Sequence, residues 1–419
     1  MDENENVKST HLVVCVHGLW GNPGHLQYLV DQLIKKHGNS INISSYTFDG
    51  IDICGDRLVE EIKEKIKSLK EDGIKITKFS IIGYSLGGLF SRYAIGILYK
   101  QGIFDEIQPW LFTTFATPHL GTISNVQRTI PKFINWASPR ILSKTGEQFA
   151  WIDKYDGNTP ILSVMSDPDR MFFKALKLFQ YRKIYANILN DNTVPYWTAA
   201  IEEIDPFEEF DQLSLLKNEK CDVIIDKISL KEDEKNTIFK KAKDTLKYLL
   251  VALVAPIVVP IWLITVVGSV YVQAMISQRR VQKITQNRIK YDVNEEQTQF
   301  LPNIASNIEQ ENIEAMANML SSEKSVTSES SSSGSTSAGA YNSINTLIYE
   351  HNFPKVPSID EQREACKNLN KLPLQKYAVY MNGFNSHAEI VVRNKFYNFM
   401  NGKNGKKLIK HFVEESFVV

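Results

Sequence analysis

A short stretch in the first quarter of the chain combines residue types suited to covalent catalysis. Gly83-Tyr84-Ser85-Leu86-Gly87 places a serine between two glycines, after a strand-like run ending at Ile82 and before a segment with helical spacing. On such a turn the serine hydroxyl projects above the sheet, at the positive end of the following helix. The glycines let strand and helix approach closely. This context predicts a nucleophilic Ser85 rather than a glycine-rich turn that happens to hold a serine.

Alternating strand and helix patterns surround this motif and would position it. Leu12–Val16 is a continuous apolar run, as expected of a strand buried on both faces. Leu58–Leu69 carries apolar residues at the spacing of an amphipathic helix. The other predicted elements are a helix over 26–37 and strands over 41–47, 111–116, 161–166 and 183–188. The alternation predicts an α/β fold, with a mostly parallel sheet and helices on both faces.

A nucleophilic serine in this setting needs a histidine base, and chain order sorts the candidates. The acid and then the histidine follow the serine, which excludes the four histidines before Ser85. Of the histidines after Ser85, His119 precedes every candidate acid at the end of a late strand. His351 adjoins a serine-rich stretch, and His411 lies in a lysine-rich terminal segment typical of a solvated helix face. His387 remains, on a turn-forming stretch before an apolar run. We predict it to be the base, the alternative being a surface-loop histidine.

The acid that orients this histidine is predicted at the end of a late strand. Asp191 lies in the turn beyond the predicted strand over 183–188, where its carboxylate can accept the imidazole N–H. The alternative role for Asp191 is an Asx turn or a helix cap. Asp167, after the predicted strand over 161–166, is the second candidate for the acid.

Two backbone N–H groups are expected to form an oxyanion hole. One is that of Leu86, directly after the nucleophile. The other comes from the loop His17-Gly18-Leu19-Trp20 after the first strand, with Gly18 or Leu19 as the donor. The His17 imidazole is expected to support this loop rather than to take part in the chemistry.

Several motifs together resemble a fungal and eukaryotic family of serine esterases with a lipase-like α/β-hydrolase core. The resemblance covers residues 11–200 and roughly 375–395. It implies esterase or lipase activity, with Ser85, Asp191 and His387 at the triad positions. A lipid-droplet phospholipase subgroup is the most similar, because its fungal members also carry an apolar insert. The matching stretches are Val16–Gly21, Gly83–Leu89, Ser91–Ala94, Phe115–Gly121, Asn190–Pro195 and Ser386–Ile390.

Composition excludes several other classes of protein. Lysine plus arginine equal aspartate plus glutamate at 48 each, so no basic excess points to a nucleic-acid partner. Four scattered cysteines predict neither a disulfide framework nor a zinc site. The acidic start Met1–Asn6 is unlike a secretory signal, so we expect a protein on the cytoplasmic side that is not secreted. The expected chemistry needs no metal and no organic cofactor.

The chain divides into four parts by pattern. Residues 1–200 form the predicted α/β-hydrolase core, and residues 201–320 form an insertion whose first part, 201–247, is charged and helix-like. Half of residues 321–340 are serine, and this composition predicts a disordered linker. Residues 341–419 are expected to complete the core and to supply the histidine.

The insertion contains residues 248–278, a run of 31 without any charge. This run exceeds the ~20 residues that span a bilayer. A single crossing would place Ser85 and His387 on opposite sides of the membrane, where they could not form one site. In addition, Pro256 and Pro260 would break a straight helix. Basic residues on both flanks favour two cytosolic ends. We therefore expect a hairpin or interfacial insert on a lipid droplet or membrane. The alternatives are a soluble lid and an anchor in the terminal segment around Leu408 and Phe412.

These features predict a serine lipase or esterase that hydrolyses acyl esters at a lipid surface, with glycerophospholipids as the expected substrates. An acyltransferase or an acylglycerol lipase could use the same triad. A droplet-bound scaffold with a silent triad is the alternative from another class, since a fold does not guarantee its activity. An active-site fluorophosphonate probe separates the scaffold from the enzymes.

Overall fold

A computed structural model describes the hydrolase-like part of the chain. The described residues are 9–18, 21, 23–38, 41–43, 49–122, 143–191, 193–208, 210–231, 358–383, 385–393 and 403–417, with isolated positions between 268 and 356.

Within the described residues, nine strands form one sheet. Their bounds are β1 Ser9–Val16, β2 Ile41–Ile43, β3 Lys75–Tyr84, β4 Gln108–Phe115, β5 Tyr181–Asn187, β6 Leu213–Lys217, β7 Ile224–Leu230, β8 Ile348–Tyr349 and β9 Gln375–Val379. The strand order is β2-β1-β3-β4-β5-β9-β7-β6, and β8 pairs with β7. Each of the first six strands in this order, from β2 through β1, β3, β4 and β5 to β9, runs parallel to its neighbour. Strand β7 runs antiparallel to both of its neighbours in this order, β9 and β6.

Helices cover both faces of the sheet. They are α1 Gln27–His37, α2 Ile51–Glu71, α3 Gly87–Lys100, α4 Ile103–Glu106, α5 Ser143–Phe149, α6 Ile161–Ser166, α7 Met171–Leu178, α8 Tyr196–Ala200, α9 Asp360–Leu369, α10 Ser386–Glu389 and α11 Lys403–His411. One apolar cluster includes side chains of α2, α3, α6, α7 and α9, and a second includes side chains of α1 and α11. The α/β class with a mostly parallel sheet is confirmed.

The predicted strand over 161–166 is wrong, because Ile161–Ser166 forms α6. A short apolar run fits a buried helix as well as a buried strand. Pro160 lies directly before the helix, and the carboxylate of Asp153 accepts a hydrogen bond from the Ile161 N–H at 2.9 Å. Strand β5 pairs with β4 and β9, so the sheet has no position for another strand there.

The helix-like prediction for 201–247 is wrong in its described part. Leu213–Lys217 and Ile224–Leu230 are strands β6 and β7, and β7 is bonded to β9 in the main sheet. The sheet therefore continues beyond residue 200, and the segment that departs from it begins after Leu230 rather than at residue 201.

The chain leaves the sheet after β7 and returns beside it. Ile348 and Tyr349 of β8 pair with Lys227 and Ile228 of β7. The intervening segment thus leaves the sheet at the carboxyl end of β7 and returns at the amino end of β8, a parallel neighbour of the same strand.

The apolar run and the serine-rich linker fall largely or wholly beyond the described residues. Residues 321–340 lie outside them, and within 248–278 only four isolated positions are described. Among the helices that the structure does describe, none combines the length and apolar character that a bilayer crossing requires.

Candidate active site

The turn after β3 has the geometry predicted for a nucleophile. Ser85 has a φ of 54°, an unusual value for a residue with a side chain. Its N–H donates to the Phe115 carbonyl at 2.9 Å, which fixes the turn to strand β4. A Cβ on Gly83 would lie 2.4 Å from Gly88 Cα, and one on Gly87 would lie 2.2 Å from the Val16 carbonyl oxygen. Only glycine allows these contacts between strand and helix.

Three strand ends bring the predicted nucleophile, acid and histidine together. Ser85 follows β3, Asp191 follows β5 and His387 follows β9, at the carboxyl ends of parallel strands. His387 Nε2 lies 2.9 Å from Ser85 Oγ, and His387 Nδ1 lies 3.0 Å from Asp191 Oδ2. The side chains of Asp191 and His387 are 2% and 1% exposed, so water competes little for these hydrogen bonds.

The carboxylate of Asp191 is surrounded by hydrogen-bond donors. Oδ1 accepts from the N–H groups of Thr193 and Val194, at 3.2 and 2.8 Å. Oδ2 faces His387 Nδ1 and also accepts from Asn187 Nδ2 at 2.7 Å. An acceptor beside Nδ1 favours the tautomer with its proton there, which leaves the Nε2 lone pair for the Ser85 hydroxyl. The Asp191 side chain thus closes the Asx turn and also lies in position to orient the predicted histidine base.

The second candidate acid, Asp167, lies elsewhere. Its side chain is 42% exposed and is 3.6 Å from the guanidinium of Arg170. Its Oδ1 accepts from the Asp169 N–H at 2.9 Å. Because the preceding segment is a helix, Asp167 does not follow a strand end of the sheet.

The region predicted to form the oxyanion hole is described in part. Leu86 directly precedes α3, where the first N–H groups of a helix lack intrahelical acceptors. Gly18 lies against the nucleophile, since a Cβ there would be 2.6 Å from Ser85 Cβ. Its carbonyl accepts from the Gly21 N–H at 3.1 Å and lies 3.0 Å from His17 Nδ1. Leu19 lies outside the described residues.

A buried arginine and a buried histidine hold parts of the core together. The guanidinium of Arg92 donates to the carbonyls of His119 and Met165, at 3.2 and 3.1 Å. Burial lowers the pKa of Arg92 to about 10. Burial, together with the nearby Arg92, lowers the pKa of His119 well below its usual range. His119 Nε2 lies 2.9 Å from Thr114 Oγ1, so this neutral histidine bridges parts of the core.

No group of three His, Cys, Asp or Glu side chains suited to a metal ion occurs within the described residues. Cys15, Cys54, Cys221 and Cys366 are buried and unbridged. Burial raises the pKa of Cys15, Cys54 and Cys366 to about 12, which makes these thiols poor nucleophiles.

Two residues that the sequence did not single out contact the predicted histidine and acid. Tyr84 donates a hydrogen bond to the His387 carbonyl, and Asn187 donates to Asp191. Tyr84 occupies an unrestricted position of the serine motif, and Asn187 is the last residue of a strand. Neither position carries a sequence signal for its partner.

Comparison with known proteins agrees with this geometry. Residues 6–201 match the family model described as "Putative serine esterase (DUF676)". Through this region, slightly less than half of its length, the chain is similar to that family. The strand order and the mostly parallel sheet are those of an α/β-hydrolase fold.

Curated relatives of this chain are fungal proteins. It is 31% identical over 223 residues to "Putative lipase ROG1" of Saccharomyces cerevisiae, covering 50% of this chain and 31% of the relative. It is also 31% identical over 210 residues to "Putative lipase C4A8.10" of Schizosaccharomyces pombe, covering 46% of this chain and 26% of that relative. The chain therefore matches about a third or less of the length of these relatives.

Among solved structures, the chain is similar to carboxyl esterase 2 from Tuber melanosporum. The identity is 16% and the TM-score 0.29, covering 42% of this chain and 58% of that one. Lipase B from Aspergillus fumigatus gives 17% identity and a TM-score of 0.23, covering 28% of this chain and 27% of that one.

Proposed function

We propose that this protein is a serine lipase or esterase whose catalytic triad is Ser85, His387 and Asp191. The observation that carries the proposal is the continuous hydrogen-bonded series from Ser85 Oγ through the imidazole to the Asp191 carboxylate. The family match in residues 6–201 supports it independently, because that region contains the serine and the acid.

The chemistry follows from the positions of the three side chains. Ser85 Oγ attacks the acyl carbonyl carbon while its proton passes to His387 Nε2, and Asp191 stabilises the imidazolium that forms. The imidazolium then protonates the leaving alcohol, and an acyl-serine remains. Water then attacks the acyl-serine and loses a proton to His387. The imidazolium returns this proton to Ser85 Oγ as the bond between Oγ and the acyl carbon breaks, which releases the carboxylic acid and restores Ser85 and His387.

Backbone N–H groups would hold the oxyanion in both steps. Leu86 supplies one donor in this proposal, and Gly18 or Leu19 supplies the other. The close approach of Gly18 to Ser85 supports this assignment, because an oxyanion donor must lie beside the attacked carbonyl.

The proposed substrates are acyl esters of lipids, with glycerophospholipids first. The lipase names of the two fungal relatives and the 31 uncharged residues of 248–278 support a lipid surface as the working environment. The chain leaves the sheet at β7 and returns at β8, which pairs directly with β7, and this supports an insert that enters a droplet or membrane and returns to the same cytoplasmic face.

The test uses the full chain with a fluorophosphonate probe and three substrates. These are p-nitrophenyl butyrate, phosphatidylcholine vesicles and a triacylglycerol emulsion. Ser85→Ala should abolish labelling and lower turnover by ~10⁴-fold or more. Ser166→Ala is the matched control, because this buried serine hydroxyl donates to the Ser163 carbonyl rather than to a triad residue.

Each result decides between the alternatives. Wild-type turnover by Ser85→Ala would contradict the mechanism, and an unlabelled wild-type protein would indicate a silent scaffold. Faster release of fatty acid from triacylglycerol than from phosphatidylcholine would replace the phospholipase proposal with an acylglycerol lipase. Transfer of the acyl group to an added alcohol in preference to water would indicate an acyltransferase.

A further inference from the structure

Two buried polar residues beside the triad have no role in the steps above. Tyr84 is fully buried and Asn187 is 2% exposed. Tyr84 is the last residue of β3, directly before the nucleophile, and Asn187 is the last residue of β5, four positions before the acid. Each therefore lies on a strand that leads into a triad residue.

Tyr84 contacts the histidine through both its hydroxyl and its ring. The hydroxyl donates a hydrogen bond to the His387 backbone carbonyl at 2.8 Å. The ring centroids of Tyr84 and His387 are 5.1 Å apart, with an angle of 36° between the planes. The residue before the nucleophile thus fixes the backbone of the base and packs against its imidazole.

Asn187 joins the acid to the segment that carries the histidine. Its Nδ2 donates to Asp191 Oδ2 at 2.7 Å and to the Ser386 carbonyl at 3.2 Å. The carbonyls of two successive residues, Ser386 and His387, are therefore held by side chains from β5 and β3.

The histidine needs this support because its own element is small. His387 lies in α10, a helix of four residues, and so short a helix has little stability of its own. Its imidazole must nevertheless stay within hydrogen-bond distance of Ser85 and Asp191. A displacement of about 1 Å can lower turnover by about 100-fold.

We propose that Tyr84 and Asn187 are positioning residues that hold the Ser386–His387 backbone so that the imidazole lies between Ser85 and Asp191. This inference rests on the proposed function. It explains how the imidazole of His387 is kept in place. Neither side chain exchanges a proton with substrate in this role.

The test is steady-state hydrolysis of p-nitrophenyl butyrate by Tyr84→Phe and Asn187→Leu. Each change should lower kcat about tenfold or more and leave KM within about twofold, because a lost positioning hydrogen bond affects the reaction rather than ester binding. Fluorophosphonate labelling of Ser85 should slow in parallel.

The matched controls are Tyr185→Phe and Asn370→Leu. Tyr185 is a buried tyrosine whose ring stacks between Phe115 and Tyr377, and Asn370 donates to the Ile201 carbonyl. Both controls should keep wild-type kcat.

A double-mutant cycle with His387→Ala separates positioning from general stability. Substitution of a residue that acts through the imidazole should cause no further loss of rate once the imidazole is absent. The residual rates should therefore agree within about twofold among His387→Ala, Tyr84→Phe/His387→Ala and Asn187→Leu/His387→Ala. Losses that persist in this background, or that appear in KM, would overturn the inference.

The failure of this inference is distinguishable from that of the proposed function. Wild-type kcat in Tyr84→Phe and Asn187→Leu, with Ser85→Ala inactive, would overturn the positioning role alone. An active Ser85→Ala would overturn the proposed function first. If Asn187→Leu does not fold, Asn187→Ser and the single-atom change Tyr84→Phe decide the question by the same criteria.

Discussion

At the residue scale, the carboxylate of Asp191 combines a structural and a proposed catalytic role. Oδ1 accepts two backbone N–H groups of its own turn, and Oδ2 faces the imidazole of His387. The turn fixes the carboxylate, and the fixed carboxylate can in turn orient the imidazole. Asp167 also accepts a backbone N–H in a turn, but its other neighbour is Arg170 on the surface.

The two aspartates give a prediction at this scale. Asp191→Asn should lower kcat on p-nitrophenyl butyrate by roughly 10⁴-fold, because an amide cannot stabilise the imidazolium and can favour the wrong tautomer. Asp167→Asn, the matched control, should stay within about twofold of wild type. The opposite ranking would assign the acid to Asp167 and contradict the proposed triad.

At the element scale, the terminal helix shows how packing decides the role of an amphipathic segment. Leu408, Ile409 and Phe412 are fully buried, in α11 and in the π-helical segment Phe412–Ser416 after it. The Phe412 ring lies 5.3 Å from that of Phe115 and 5.9 Å from that of Tyr185, on strands of the sheet. The apolar face of this helix belongs to the core, which argues against the alternative anchor around Leu408 and Phe412.

This burial predicts a large loss of stability when the ring is removed. Phe412→Ala should lower the free energy of unfolding by about 3–5 kcal/mol, from lost apolar burial and the cavity left behind. Leu216→Ala is the control, because Leu216 is 60% exposed on β6 and its change should stay within about 0.5 kcal/mol. Urea unfolding measures both. An unchanged midpoint for Phe412→Ala, with loss of lipid binding, would restore the terminal anchor.

At the scale of the whole molecule, the proposed triad constrains the path of the chain. Ser85 comes before residues 248–278 and His387 after them, yet Oγ and Nε2 are 2.9 Å apart. The described ends of the segment between β7 and β8 are paired in one sheet. An odd number of membrane crossings within this segment would contradict both observations.

Deletion of residues 248–278 should therefore release the protein from lipid surfaces without abolishing its chemistry. Burying even half of these side chains in acyl chains is favourable by ~1.5–3 kcal/mol for each large aliphatic one. Cell fractionation should show the deleted chain in the soluble fraction, and its turnover of p-nitrophenyl butyrate should largely survive because no triad residue is removed.

Protease protection of tags at both termini is the matching test of topology. Both tags should be digested in intact membranes or on droplets. Protection of one tag alone would indicate a single crossing and would contradict the Ser85–His387 pair. Retention of the deleted chain on lipid would make 248–278 a buried lid and place the anchor elsewhere.

The sequence by itself determined the parts of this protein that rest on local chemistry. The turn at Ser85 needs glycines that no other residue can replace, the central strands are long apolar runs, and the chain order of serine, acid and histidine reduced eight histidines to His387.

Only the tertiary structure decided what depends on neighbours distant in the chain. Ile161–Ser166 is a helix because the sheet beside β5 is already occupied by β9, and Tyr84 and Asn187 meet the histidine segment across about 200 to 300 intervening residues. Such contacts leave no pattern in the local sequence, because their partners are selected by the packing of the whole chain.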